Sequence, residues 1–302
     1  MSNLLRLVVP RTYLDRQRRA GLLFVLPAVL YFALVFLIPL VESVIWSFYR
    51  TVPGGASRFV GIRLYEKVLT DGDFWRAVGN TVSLVVMSVP ATVVLALAVA
   101  LGLNRLVSHR WRNAWAVMYF LPFSVSLIAA ALVWQWIYDP LYGFLNWLLS
   151  LAGLPAQKWL QGLSQVRPSL AAVTVWLRLG FDTMIFLAAL QSIPGEYYEA
   201  ARIDGAGGWQ RLRHMTLPLL NPQILMVCIL ELIFNFKIFD QVYATTQGGP
   251  AGASQTVIML LYETAFKNFR LGDASVMAVF VFASLFLVTL LQWRFFRKPI
   301  EY

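Results

Sequence analysis

The sequence predicts an all-α integral membrane protein of six transmembrane helices, with a polar surface segment between the fourth and the fifth. Three observations carry that expectation. The 302 residues are 59% hydrophobic and only 13% charged, about half the charged share of a soluble domain, and the mean hydropathy is +0.66. Several apolar runs reach the roughly 20 residues needed to cross a hydrocarbon core of about 30 Å. Between Ile193-Pro194 and Leu217-Pro218, by contrast, the chain turns polar and glycine-jointed: EYYEAARIDGAGGWQRLRHMTLPLLNP, residues 196–222.

The six spans fall at 21–48, 77–103, 113–137, 168–192, 217–240 and 274–293. Helices are expected because a lipid-facing backbone must satisfy its own N–H and C=O groups; a barrel would show short alternating strands instead. Pro27, Pro39, Pro90 and Pro122 lie inside these runs as tolerable kinks. The first run is too long for a signal-peptide core, and no small-x-small cleavage site follows it. The single cysteine, Cys228, offers no disulfide framework.

Charge sets the expected orientation. The excess of 25 Lys and Arg over 15 Asp and Glu is compatible with a nucleic-acid partner, but in a membrane chain topology explains it more simply. Segments 1–20, 104–112, 194–216 and 294–302 carry fourteen Lys and Arg, against nine in the longer loops at the other end. Both termini are therefore expected in the cytoplasm: 1–20 as an N-terminal segment, 21–293 as the transmembrane domain, 294–302 as a tail. Trp46, Tyr49, Trp111, Trp115, Trp134, Trp136 and Tyr138, near span ends, fit interfacial belts.

The segment between spans four and five reads as two short helices. Pro194 suits a first helical turn, Ser192 is a candidate cap, and Glu196 and Glu199 favour the positive helix N-terminus. The helix should stop at Asp204-Gly205, where glycine adopts the left-handed conformation. A second, basic helix is expected over Trp209–His214, and Leu217-Pro218 opens span five. Ala200 and Ala201 permit close approach of another backbone, which suits a helix seated in a partner's groove with Tyr197, Tyr198 and Ile203 as apolar contacts. An amphipathic linker resting on lipid head groups is the other reading of the same residues.

The pattern Glu199-Ala200-Ala201, Asp204-Gly205-Ala206, Leu217-Pro218 resembles the EAA loop of ABC importer permeases, with Met215 where isoleucine is usual. A second stretch, FNFKIFDQVYATTQGGPAGASQTVIMLLYETAF at 234–266, is similar to the MalF-like and UgpA-like subunits of the carbohydrate branch. The resemblance covers roughly residues 20–295. It implies that the EAA helix couples to a separate ATPase through Tyr198, Glu199, Ala200, Ala201, Asp204 and Gly205. It also implies a MalG-like second permease, two copies of the ABC ATPase and an extracytoplasmic sugar-binding protein that meets loops near 50–76, 139–167 and 241–272. Gly205-Ala206-Gly207-Gly208 lacks the lysine and hydroxyl of a phosphate-binding loop. ATP and magnesium are therefore expected on the partner, and no cofactor on this chain.

Arg178, Asp182, Glu231 and Lys237 are ionisable residues inside spans four and five, each costly in lipid by about 2.5 kcal/mol or more. At about 1.5 Å per residue, Arg178, Asp182 and Glu231 stand roughly 24, 18 and 20 Å from the polar segment. They can form one midplane cluster if the two spans are neighbours, with Lys237 on a different face. The cluster reads either as an ion-pair lock or as the border of a translocation path. Asn235 shares the face of Glu231, and in the MalF-like pattern the stretch it belongs to, Phe234-Asn235-Phe236, contributes to the substrate site. Trp176 and Phe181 are candidate ring contacts from span four.

Other classes fit poorly. Only His109 and His214 are present, at the span edges, and no His/Cys ligand cluster or paired aspartates suggest a membrane enzyme. A stand-alone secondary transporter would show two related halves, and no internal repeat is visible. The solute is expected to be a sugar or oligosaccharide, with glycerol phosphate or another small polar solute left open.

Overall fold

The computed structural model describes residues 13–51, 57–106 and 108–296. Of the cationic residues counted for orientation, Arg6, Arg11, Arg297 and Lys298 lie outside that range. The first helix among the described residues is α1 (Tyr13–Phe32), which passes through a π-turn at Ala33–Leu37 into α2 (Ile38–Trp46). An antiparallel ribbon of β1 (Tyr49–Arg50) and β2 (Arg58–Phe59) leads to α3 (Arg63–Leu69) and the long α4 (Gly72–Asn104). Then follow α5 (His109–Ser124), α6 (Leu127–Ile137), α7 (Phe144–Leu151) and α8 (Val166–Ser192). The polar segment holds α9 (Gly195–Ile203), α10 (Gly208–Arg211), a π-turn over Leu212–Thr216 and α11 (Leu217–Leu219). Last come α12 (Asn221–Phe236), α13 (Asp240–Thr245), α14 (Val257–Tyr262) and α15 (Leu271–Phe296).

Five of these stretches are long and apolar enough to cross a membrane, and the pair α5–α6 makes a sixth only if counted as one bent span. The continuous helix expected over 113–137 is therefore corrected: the chain bends by 96° between Ser124 and Leu127. Pro122 lacks the amide hydrogen that would bond one turn back, and Val125 and Ser126 are extended, with ψ of 141° and 133°. Span five begins at Asn221 rather than at Leu217, because the chain breaks at Leu220 after the short α11. The first span starts earlier than expected, within residues assigned to the N-terminal segment.

Helix α8 is the axis of the bundle. Of its most apolar 18-residue window 61% is buried, against 28% for α4, 22% for α15 and 0% for the α1–α2 span. The sequence permits this because the facing side chains are small. The buried stripe of α4 runs through Ala77, Thr81, Leu84, Ser88, Thr92, Ala96, Ala100 and Leu103, a spacing of three and four that keeps them on one face. Small residues let helix backbones approach where lipid supplies no hydrophobic drive. Gly180 makes the tightest approach: a Cβ there would fall on the main-chain carbonyl of Tyr119 in α5. Buried apolar residues at the α9 end include Ala96, Phe186 and Leu190, and at the opposite end Leu170, Val242 and Met259. A third cluster joins α3 and α4 to α14 and α15 through Phe74, Val257 and Val276.

Two aromatic assignments change. Trp134 and Tyr138 do not stand in an interfacial belt: Tyr138 is buried, donates to the Ser169 carbonyl at 3.2 Å and stacks obliquely on Trp159 and Trp134. Trp111 and Trp136 are exposed, as anchoring residues should be.

Candidate functional site

The surface helix α9 ends as its sequence dictates. Asp204 is the C-cap and Gly205 takes φ +79°. The Gly205 amide then donates to the Arg202 carbonyl at 3.0 Å and the Ala206 amide to the Ala201 carbonyl at 2.9 Å. That pair of bonds is the Schellman stop, which needs a left-handed residue at the position Gly205 fills. At the other end Pro194, not Ser192, is the N-cap. Ser192 is the last residue of α8, and its hydroxyl donates back to the Ala189 carbonyl, so the expected cap is corrected. The second helix also differs from expectation, since α10 covers only Gly208–Arg211 before the π-turn; Gln210 accepts from the Gly207 amide and fixes its start.

No residue of α9 is buried. Tyr197, Glu199, Ala200 and Ile203 are exposed, Ile203 at 88%, and Ala201 is half-buried. Tyr198 is the exception in direction. Its hydroxyl turns back to Thr216 Oγ1 at 3.1 Å, while Thr216 is buried and also donates to the Arg211 carbonyl. Tyr198 thus ties α9 to the π-turn that leads into span five, and the exposed apolar contacts reduce to Tyr197 and Ile203.

The expected cluster of charged residues forms between spans four and five. Arg178 Nε donates to Glu231 Oε1, and Arg178 Nη2 lies 3.7 Å from Asp182 Oδ1 one turn along α8. Asp182, Glu231 and Asn235 are fully buried and Arg178 is 7% exposed. Asn235 Nδ2 donates to the Glu231 carbonyl at 2.9 Å and reaches its Oε2 at 3.3 Å, while Ser88 of α4 donates to Asn235 Oδ1. The guanidinium carbon stands 4.7 Å from the ring centres of Phe181 and Phe234 and 5.5 Å from Phe123, an arrangement that stabilises a desolvated cation through the ring quadrupoles. The relay therefore links α4, α8 and α12, with Phe123 from the end of α5. Neither Asp182 oxygen has a hydrogen-bond donor among the described residues.

Four of the six candidate path residues are thus packed inside the chain. Trp176, on the outer turn of α8, is 36% exposed and meets Trp134 edge-on at 5.5 Å. Phe181 stacks on Phe123 at 4.6 Å. Lys237 caps α12 and faces away from the cluster, exposed. Three participants were not foreseen. Ser88 stood out only as a hydroxyl in an apolar run, Phe123 only as a ring beside Pro122, and Thr216 gave no signal.

At the end opposite α9, the Gly-Gly-Pro stretch folds onto α4. Asn80 Nδ2 donates to the carbonyls of Gly252 and Gln255 at 2.8 and 3.0 Å, and the Val257 amide donates to Thr81. Gly248 and Gly252 hold φ of +86° and +76°, which only glycine adopts without strain.

The sequence of these spans matches a known family. Its model, described as binding-protein-dependent transport system inner membrane component, aligns with residues 59–298. The chain belongs to this family. It is similar to the trehalose/maltose transport system permease MalF of Thermococcus litoralis, at 36% identity over 260 residues that cover 85% of this chain and 86% of the relative. It is 29% identical to the sn-glycerol-3-phosphate transport system permease UgpA of Agrobacterium fabrum over 282 residues, 93% and 95% of the two chains. The fold matches a bacterial ABC transporter involved in import of the acidic polysaccharide alginate, with a TM-score of 0.83 at 23% identity over 97% of this chain and all of that one. This permease is accordingly a multi-pass inner-membrane transport subunit of ABC importer type.

Proposed function

We propose that the permease forms half of the translocation path of an ATP-driven importer for a sugar or oligosaccharide, with α9 as its coupling helix to a separate ATPase. The observation that carries this reading is α9 itself. It is a nine-residue helix with no buried residue, stopped by Gly205, and its flanking spans are ion-paired to each other through Arg178 and Glu231. In this reading Ala200 and Ala201 give the ATPase a close-packing surface, Glu199 a charge contact, and Asp204-Gly205 the turn. The α9 end and both termini face the cytoplasm, following the bias of basic residues. The opposite loops meet a sugar-binding protein, a MalG-like subunit completes the pore, and ATP and magnesium stay on the two ATPase copies.

Closure of the ATPases would move α9 and, through it, α8 and α12. Trp176, Arg178, Phe181, Asp182, Glu231 and Asn235 then border the path. The four polar residues are covered in the present conformation and meet solute hydroxyls only once α8 and α12 part. The family names of the relatives support a carbohydrate. The glycerol-phosphate relative favours a second reading, in which Arg178 faces a phosphate ester.

The test is Gly205→Glu in the assembled transporter. Left-handed backbone disfavours the new residue by about 1–2 kcal/mol, and its charge stands on the docking face. ATP hydrolysis should continue while uptake falls to background and the chain still inserts; wild-type uptake would overturn the coupling role. Asn235→Ala and Glu231→Gln should both alter uptake affinity or rate, and the path assignment fails if neither does.

A further inference from the structure

A cavity of about 510 Å³ lies at the α9 end, between the last turn of α4, the end of α8 and the α9–α10 segment. Arg105, Arg202 and Arg211 line it, with Glu199 as the one carboxylate on its wall. Among the described residues none of the three arginines is in an ion pair. Arg211 is half-buried, and its Nε is shielded from solvent without a hydrogen-bond partner. Each arginine sits at a helix C-terminus: Arg105 caps α4, Arg202 lies in the last turn of α9 and Arg211 ends α10. The helix dipole favours a cation at such positions. It does not account for three of them lining one cavity that holds a single carboxylate.

We propose that this cavity binds a phosphate group, which bridges the end of α4 to the α9–α10 segment. Guanidinium forks bind phosphate oxygens in bidentate pairs, and three of them around a single carboxylate leave a surplus of two positive charges. Leu101 and Leu190 form an apolar flank beside the arginines, so a phosphodiester head group with its acyl chain toward the bundle fits as well as free phosphate does. Basic pockets between helices at the cytoplasmic surface take anionic head groups in this way. The site rests on the proposed orientation, and through α9 an occupant would stiffen the segment assigned to coupling.

The test uses the full-length chain purified in detergent, with any subunits that accompany it, and needs neither substrate nor ATP. Its failure would thus leave the importer reading untouched. Retention of dioleoylphosphatidylglycerol and dioleoylphosphatidylcholine is compared by native mass spectrometry, and inorganic phosphate binding by calorimetry. The wild-type chain should hold phosphatidylglycerol, or inorganic phosphate, at least about tenfold more tightly than Arg105→Gln/Arg211→Gln. The first outcome identifies a lipid source and the second a free one. Arg105→Lys/Arg211→Lys should retain much of the affinity, which guards against a folding defect. Arg213→Gln removes a nearby charge that does not line the cavity and should change nothing. Equal binding by wild type and the glutamine variant, or an equal loss with Arg213→Gln, would overturn the proposal.

Discussion

The Arg178–Glu231 relay and the α9 segment are joined by two spans and are built on opposite terms. The relay buries three charges and two neutral polar groups with almost no exposure, and every member except Asp182 has its hydrogen-bond partner within the chain. No residue of α9 is buried, and among the described residues its side chains make one hydrogen bond, between Tyr198 and Thr216 of the π-turn that leads into span five. Desolvated charges are costly to leave unpaired, so substitutions in the relay should register first as lost stability. An exposed helix owes little to the folded state of the bundle, so substitutions in α9 should register as lost function at unchanged stability. The relay is thus a buried joint between spans, and α9 an exposed surface.

The largest expected effect breaks the joint. Glu231→Ala leaves Arg178 buried beside Asp182 alone, at 3.7 Å and without a hydrogen bond. Removing one partner of a buried pair costs about 3–5 kcal/mol, which thermal unfolding in detergent should show as a clear drop in midpoint. Glu231→Gln keeps the volume and lets Asp182 serve as the sole counter-ion, so its loss should be smaller. Equal midpoints for wild type and Glu231→Ala would mean the relay is solvated in the working protein.

Next in size is the close approach of α5 to α8. In Gly180→Ala the new methyl falls on the Tyr119 main chain, which cannot swing aside as a flexible side chain can. Overpacking of this kind costs about 1–3 kcal/mol, and it should shift the unfolding midpoint without altering the α9 segment. Gly205→Ala is the counterpart at the surface. No atom stands within 4 Å of a Cβ there, so only the φ of +79° opposes it, at about 1–2 kcal/mol of local strain. Hydrogen exchange should show the end of α9 fraying while the unfolding midpoint of the bundle stays constant. A global shift would show that α9 is part of the core.

The two regions also differ in how far the sequence disclosed them. Apolar length and the positions of charges placed the spans and brought Arg178, Asp182 and Glu231 to one depth, because helix rise converts sequence distance directly into height. The Asp204-Gly205 stop was readable because left-handed backbone has a residue signature. What stayed hidden depends on rotation and on contacts between distant elements. That Ser88 would reach Asn235, or that Phe123 would face Arg178, requires knowing which side of α4 and α5 meets α8. The 96° bend after Pro122 was equally hidden, since a proline in a span can kink it slightly or end it, and the tertiary contacts decide which. Tyr198 turned inward for the same reason: its hydroxyl found Thr216 across a π-turn that no local pattern announces.

The smallest expected effect concerns that tie. Tyr198→Phe removes a hydroxyl and keeps the ring, which deletes a bond worth about 0.5–1.5 kcal/mol between a half-buried ring and a buried threonine. Thr216→Val removes the other side of the bond, and also the Thr216 bond to the Arg211 carbonyl. If the Tyr198–Thr216 contact holds α9 in register, the double variant should lose less than the two single losses added together. The readout is transport per ATP hydrolysed, because the bundle's unfolding midpoint should not respond. Strict additivity would mean that the two groups act separately, and α9 would then be held in place by its backbone connections.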